Sequence, residues 1–284
     1  MTVRNSKKPS AVVFSIVAYT FCILLAILSI MPFVVMIVNA TRSTAQIQEH
    51  AISFIPGTEL MKNMKILSTG TFHPMRGFVN SLIVSVGSTV CAIYFSTMTA
   101  YAIVAYEWKL KRGFFTVILA VMMIPAQVTS IGFIQMMYKI GMVNNFLALI
   151  LPSIASPAIV FFMRQYMIPS LPMEILQSAR IDGASEFRIF NQIALPMMKP
   201  AMATQAIFAF VSSWNNLFMP SIILTKDRLY TMPMMVSQLR GDMYRTEYGS
   251  IYLGLCLTVL PILVVYFLLS KHIIAGVALG GVKG

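Results

Sequence analysis

Charge is scarce in this chain. Of 284 residues 11% are charged, with 9 Asp and Glu against 21 Lys and Arg, less than half of the ~25% usual in soluble domains. That excludes a soluble globular domain of ordinary composition. Histidine is as thin: His50, His73 and His272 lie far apart, no HExxH occurs, and the only carboxylates close enough to pair lie between apolar runs. A metal-assisted or two-carboxylate enzyme is therefore not expected, and no metal ligands are assigned. No GxxxxGK[ST] loop occurs, so the chain has no visible means of holding a nucleotide. Cys22, Cys91 and Cys256 fall inside apolar runs, where a thiol behaves as a small hydrophobe rather than a ligand or bridge. The apolar runs also lack the buried Asp, Glu or Lys that proton-driven carriers usually need, which leaves an ion-gradient-driven secondary carrier as the weaker alternative.

What is abundant is apolar. With 58% hydrophobic residues and a mean hydropathy of +0.79, the composition is that of an all-α polytopic membrane protein. The formal charge of +12 is spread in small groups between apolar runs, as in loops facing an anionic inner leaflet. Nucleic acid is not an expected partner; the lipid bilayer is. The opening MTVRNSKKPS precedes an apolar run too long for a signal peptide, so it reads as leading into an uncleaved first span.

Taking about 20 apolar residues per crossing, six spans are expected, at residues 11–39, 77–104, 114–137, 146–167, 200–224 and 251–269. Pro32, Pro125, Pro152, Pro157 and Pro261 should bend several of them. Twelve of the 21 Lys and Arg fall on the side of the N-terminus, which favours both termini inside. One membrane domain, residues 1–284, accounts for the chain, with a glycine-rich cytoplasmic tail at 271–284. The outer segments 41–76 and 225–250 are long and polar, so they are candidate docking surfaces.

Residues 172–200 interrupt the oil. Pro172 can open a helix over MEILQSARI, Gly183 beside Asp182 permits a tight connection, and a second short helix sets Phe187, Phe190 and Ala194 at helical spacing until Pro196 and Pro200. Each helix would be about 15 Å long, half the hydrocarbon thickness. From the pattern alone, such a hairpin either caps its own protein or presents a knob to a partner.

Gly183, nine residues, then IALP ending at Pro196 resembles the EAA loop of ABC importer permeases, and ARIDGASEFRIF resembles its form in the carbohydrate branch. In chain order, NSLIVSVGST from Asn80, MMIPAQV from Met122, SSWNNLFMP from Ser212 and AGVALGGVKG from Ala275 agree, and the likeness is greatest to the shorter six-span permease of maltose-type importers. One departure stands out. Gln177-Ser178-Ala179 replaces the common Glu-Ala-Ala, so no fixed salt bridge is expected at Gln177, although Glu174, Asp182 and Glu186 are near.

The resemblance implies two cytoplasmic ATP-binding subunits that hold ATP and Mg, a second homologous permease, an external solute-binding protein, and a bacterial or archaeal cytoplasmic membrane. It implies ATPase coupling at Glu174, Gln177, Ser178, Ala179, Asp182, Gly183, Ala184, Glu186, Phe187, Phe190, Ile193 and Pro196, with Phe187 and Phe190 as the knob. The chain itself binds no cofactor and is not an enzyme on this reading.

The polar stripe Gln205, Ser212 and Asn216 at helical spacing, with Trp214, Asn215 and Phe218 beside it, suits either interhelical hydrogen bonds or a polar path; the resemblance of WNNLF to the family implies a sugar path or gate there, which Gln127 and Ser130 beyond Pro125 could also line. Amides can bond sugar hydroxyls, and an indole can lie against a sugar's apolar face. The cargo expected is a carbohydrate, most simply a neutral oligosaccharide; glycerol phosphate or a uronic-acid polymer is the alternative within the branch. Arg228, Arg240, Asp242 and Glu247, in the second long outer segment, are the expected contact with the binding protein.

Overall fold

The computed structural model describes residues 9–69, 73–238 and 247–281. Every regular element among them is helical. Four helices are long and apolar enough to cross a membrane, and up to six crossings result if each of two bent helix pairs is one span. The chain divides into two units, residues 1–70 with 239–257, and 71–238 with 258–284.

The first unit begins with α1 (Pro9–Ala40). It is apolar all round and its large side chains are mostly exposed, a pattern suited to lipid rather than water. Below it, α2 (Thr44–Glu49) starts at a capping box between Ser43 and Gln46, and α3 (Leu60–Thr69) follows. Arg42 is buried and ties them together, donating to Asn39 Oδ1 at 2.9 Å and to the carbonyls of His50 and Gln46 at 2.8 and 2.7 Å. Asn63 Nδ2 donates to the Ala40 and Arg42 carbonyls, both at 2.9 Å. The last helix, Tyr248–Gly281, enters this unit at Gly249, where a Cβ would stand 2.4 Å from both the Arg42 carbonyl and Asn63 Nδ2. Much of the long segment after residue 41 is therefore a knitted platform rather than a loop.

The second unit is built on α4 (Pro74–Ala105). Ser81, Ser85, Ser88, Ala92 and Ser96 are buried along it, and these small residues let neighbours approach closely. The next pair, α5 (Lys111–Met122) and α6 (Ala126–Lys139), meets at 98°. The span expected as one helix at 114–137 is thus broken, because Pro125 offers no amide and biases Ile124 away from helical geometry. Residues 147–170 continue as α7 (Leu147–Ile150), a 3-10 turn and α8 (Pro157–Ser170), which lies along α4.

The hairpin comes next: α9 (Met173–Ile181), α10 (Glu186–Ile189), a π turn Phe190–Ala194 and α11 (Leu195–Met197). Then α12 (Lys199–Trp214) returns against α4.

Here the expected fifth span, 200–224, needs correction: the helix stops at Trp214, and α13 (Phe218–Ile223) restarts after Asn215–Leu217. Asn216 Oδ1 accepts from the Met219 amide at 3.3 Å, the local bond by which asparagine favours starting a helix. A further helix, α14 (Met232–Gln238), precedes the last one. That last helix runs unbroken to Gly281, so the tail placed from 271 is helical that far, beyond the expected end of the span at 269; residues 282–284 lie outside the described residues.

Candidate functional site: the helical hairpin and the adjacent cavity

The turn of the hairpin is set by backbone geometry. Gly183 has φ +79°, and a Cβ there would meet nothing within 4 Å, so glycine is required by conformation rather than by space. The Ala184 amide donates to the Ala179 carbonyl at 3.0 Å and the Gly183 amide to the Arg180 carbonyl at 3.1 Å. That pair of bonds is a Schellman C-cap on α9.

One face of the hairpin is core. Leu176, Ala179, Ile189, Phe190 and Ala194 are buried with Tyr101, Met163 and Met167 from α4 and α8. Phe190 is 3% exposed, with its ring 5.7 Å from that of Tyr94 and 5.3 Å from that of Tyr101. It is not the outward knob that the family resemblance implied. Ile189 and Ala194 fix the inward direction and draw Phe190 with them. Phe187 is 69% exposed and Ile181 86%, so these two are the most exposed apolar side chains of the hairpin. Ile181 escaped the sequence reading, yet it sits on the side of α9 opposite Ala179, an isoleucine on an otherwise polar face.

Charge locks the two arms. Arg180 Nε donates to Glu186 Oε1 at 2.7 Å and the Tyr106 hydroxyl donates to Glu186 Oε2. The guanidinium stands 5.3 Å from the Tyr106 ring centroid. The Arg180 guanidinium first, then Tyr106, holds the Glu186 carboxyl below the usual carboxylate range. Burial, with the hydrogen bond to that carboxylate, pushes the Tyr106 phenol up. Tyr106 was not singled out from sequence, since only the fold carries it from the end of α4 to a residue 80 positions away.

The remaining hairpin residues divide by exposure. Glu174, Gln177, Ser178, Asp182 and Pro196 are exposed, whereas Ala184 and Ile193 are half-buried. Asp182 and Gly183 share a cleft of about 310 Å³ with Arg188 and Gln192.

A second cavity, about 400 Å³, lies in the same unit among α4, α6, the α7 region and the α12–α13 break. Its polar lining is Thr129, Ser130, Ser213 and Asn216, with Val84, Phe133 and Met219 among its apolar walls. The structure thus brings Ser130 and Asn216 together, while Gln127, Gln205, Ser212, Asn215 and Phe218 do not line it. Trp214 points elsewhere. It is 1% exposed, stacks on Phe210, meets Phe78 edge-on, and donates its indole N–H to the Thr258 carbonyl at 2.9 Å. The ring expected to face a sugar is a core residue, held by a bond to the last helix.

Of the expected contacts for a binding protein, Arg240 and Asp242 lie outside the described residues. Arg228 is exposed, and its carbonyl accepts from Asn80 Nδ2 at 3.0 Å. Glu247 belongs to the other unit, where Thr44 Oγ1 donates to it at 2.8 Å.

Residues 92–278 match the family described as the binding-protein-dependent transport system inner membrane component. The chain belongs to that family. It is accordingly a permease subunit of an ABC importer, a membrane transport component and not an enzyme. It is 33% identical over 262 residues to the arabinooligosaccharides transport system permease protein AraQ of Halalkalibacterium halodurans, covering 92% of this chain and 93% of that one. It is 32% identical to the lactose transport system permease protein LacG of Rhizobium radiobacter, over the full length of both. The sn-glycerol-3-phosphate permease UgpE of Salmonella typhi is 29% identical, with 92% of this chain and 95% of that one covered. A chain of a bacterial ABC transporter that imports the acidic polysaccharide alginate has the same fold, with TM-score 0.80 at 20% identity over 94% of this chain and 99% of that one.

Proposed function

We propose that this permease forms half of the path for a neutral oligosaccharide in an ATP-driven importer. The path is completed by a homologous permease, supplied by an external binding protein and powered by two cytoplasmic subunits that bind ATP and Mg. On this reading the chain crosses the cytoplasmic membrane of a bacterium or archaeon six times with both termini inside. The hairpin 172–198 inserts Phe187 and Ile181 into a partner ATPase.

The observation that carries the reading is the hairpin's two-sidedness: an apolar outer pair on a frame whose inner face is packed into α4, α8 and α12. A displacement of that frame reaches the spans because packed elements shift between discrete arrangements rather than stretching. Supporting the cargo, the cavity offers hydroxyls and an amide with no charged side chain, and AraQ and LacG are named for arabino-oligosaccharides and lactose. A glycerol phosphate or a uronate would call for a cation at that position.

The test is uptake by vesicles holding the chain with its partner subunits. Lactose or arabinotriose uptake should require ATP and survive collapse of the proton gradient. Uptake that follows the gradient and ignores ATP would establish a secondary carrier instead. A cysteine placed at Ser178 should be labelled only from the cytoplasmic side.

A further inference from the structure

We infer that the polar pocket between residues 106–110, the first turns of α5 and the end of α8 holds the phosphate headgroup of an anionic phospholipid of the inner leaflet. The choice of leaflet rests on the sidedness proposed above. The pocket measures about 630 Å³ and gathers Lys109, Lys111, Arg112 and Arg164 around a single carboxylate, Glu107. Lys111 Nζ stands 2.7 Å from Glu107 and is neutralised by it. Three cations remain with no carboxylate within ion-pair distance among the described residues.

Arg164 is the anchor. Its guanidinium lies 4.2 Å over the Phe115 ring, one terminal nitrogen donates to Gln165 Oε1 at 3.0 Å, and its buried Nε–H has no acceptor. A buried donor without a partner is costly and rare in folded proteins, and a phosphate oxygen is the acceptor that guanidinium geometry suits best. Depth agrees. Arg164 lies near the C-terminal end of the candidate span Leu147–Ser170, where a crossing segment reaches the edge of the hydrocarbon layer.

The flank of the pocket separates a lipid from a free anion. Phe115 stacks on Phe161 at 6.4 Å, and Val117, Val121 and Phe162 are exposed on the same two helices. Inorganic phosphate would gain nothing from those side chains. An acyl chain below a phosphate would cover them.

The full-length chain, purified with its bound subunits in phosphatidylcholine nanodiscs containing dioleoyl phosphatidylglycerol, should retain one phosphatidylglycerol in native mass spectrometry. The double variant Lys109→Gln with Arg112→Gln changes only exposed side chains, so it should fold normally yet weaken retention by roughly fivefold for each cation. Arg164→Gln should abolish retention and Arg164→Lys partly restore it, while Lys226→Gln, outside the pocket, should change nothing. Equal retention by the double variant and the parent overturns the proposal. So does displacement of the lipid by inorganic phosphate, which would make this a soluble-anion site. Retention seen only after the ATPase subunits are stripped away, marking a protein-docking face, overturns it too. A labelling result placing the hairpin outside would show up separately at Ser178, with retention of the lipid unaffected.

Discussion

Arg180 and Glu186 face one another across the turn at Gly183, with Nε to Oε1 at 2.7 Å and a second contact at 3.3 Å. Tyr106, at the end of α4, donates to the same carboxylate. One exposed ion pair adds little stability, typically under about 1 kcal/mol. Its importance is positional, because the carboxylate joins both arms of the hairpin to a membrane span.

A pH dependence follows from the direction of that carboxyl's shift. Its pKa is lower when folded than in the unfolded chain, so its contribution is present above the ordinary glutamate value of about 4.3 and fades as pH falls through the lower folded value. Amide hydrogen exchange over residues 176–191, corrected for the intrinsic rate, should be faster in Glu186→Gln than in the parent near neutral pH. The two should converge in acid below the ordinary glutamate range. A difference that persists unchanged there would mean the carboxylate is not the link.

Gly183 separates conformation from space. Gly183→Ala meets no atom but must hold a left-handed backbone, at a cost of about 1–2 kcal/mol. Gly183→Pro also deletes the amide that bonds to the Arg180 carbonyl and forces φ to about −65°. Membrane immunoblots should show both proteins, with sugar uptake reduced for alanine and lost for proline. Normal uptake by the proline variant would remove the turn from the coupling mechanism.

Phe187 and Phe190 should fail in different ways. Phe190→Ala opens a cavity in the core, about 3–5 kcal/mol for a buried phenyl ring, so the amount of protein in the membrane should fall. Phe187→Ala and Ile181→Ala alter exposed side chains and should leave abundance unchanged while uptake collapses. Equal losses of abundance for Phe187→Ala and Phe190→Ala would contradict this division.

Those two phenylalanines also mark what the sequence makes legible. The hairpin itself is readable: Pro172, Asp182–Gly183 and the apolar spacing on either side define helix, turn and helix, as the structure has them. Facing is not. Residues three apart on a regular helix lie only about 60° apart, and periodicity places Phe187 beside Phe190. The backbone widens to a π turn at Phe190, on the turn before Pro196, and the packing of Ile189 and Ala194 decides which ring goes inward.

Run length misleads at residue 224 for a related reason, since hydropathy registers composition but not helix ends. Asn216, followed by the Met219 amide it accepts from, was the local sign of a restart. Trp214 shows the limit of chemical plausibility, because its acceptor is Thr258, 44 residues away.

Trp214 and Asn216 give opposite kinetic signatures. Trp214→Phe keeps most of the packing against Phe210 and Phe78 but removes the indole N–H bond to the Thr258 carbonyl, so a loss of about 1 kcal/mol in stability is expected. The KM for sugar uptake should not move. Asn216→Ser keeps a side-chain acceptor for the Met219 amide but removes the carboxamide from the cavity, and there KM should rise while abundance holds. A KM effect confined to Trp214→Phe would return the indole to the sugar path.

The last helix enters the first unit where no side chain fits. At Gly249 an added methyl would stand 2.4 Å from the Arg42 carbonyl and from Asn63 Nδ2, and Asn63 is the residue that holds the Ala40 and Arg42 carbonyls. The contact is backbone on one side and a doubly bonded amide on the other, so neither can yield cheaply. Overpacking of this kind costs about 1–3 kcal/mol, and Gly249→Ala should lower the thermal midpoint and speed amide exchange over residues 39–63. Gly132→Ala is the control: a Cβ there meets nothing within 4 Å, and alanine within a helix is favoured by about 0.5–1 kcal/mol. If Gly249→Ala melts with Gly132→Ala at or above the parent, the platform does not depend on that close approach.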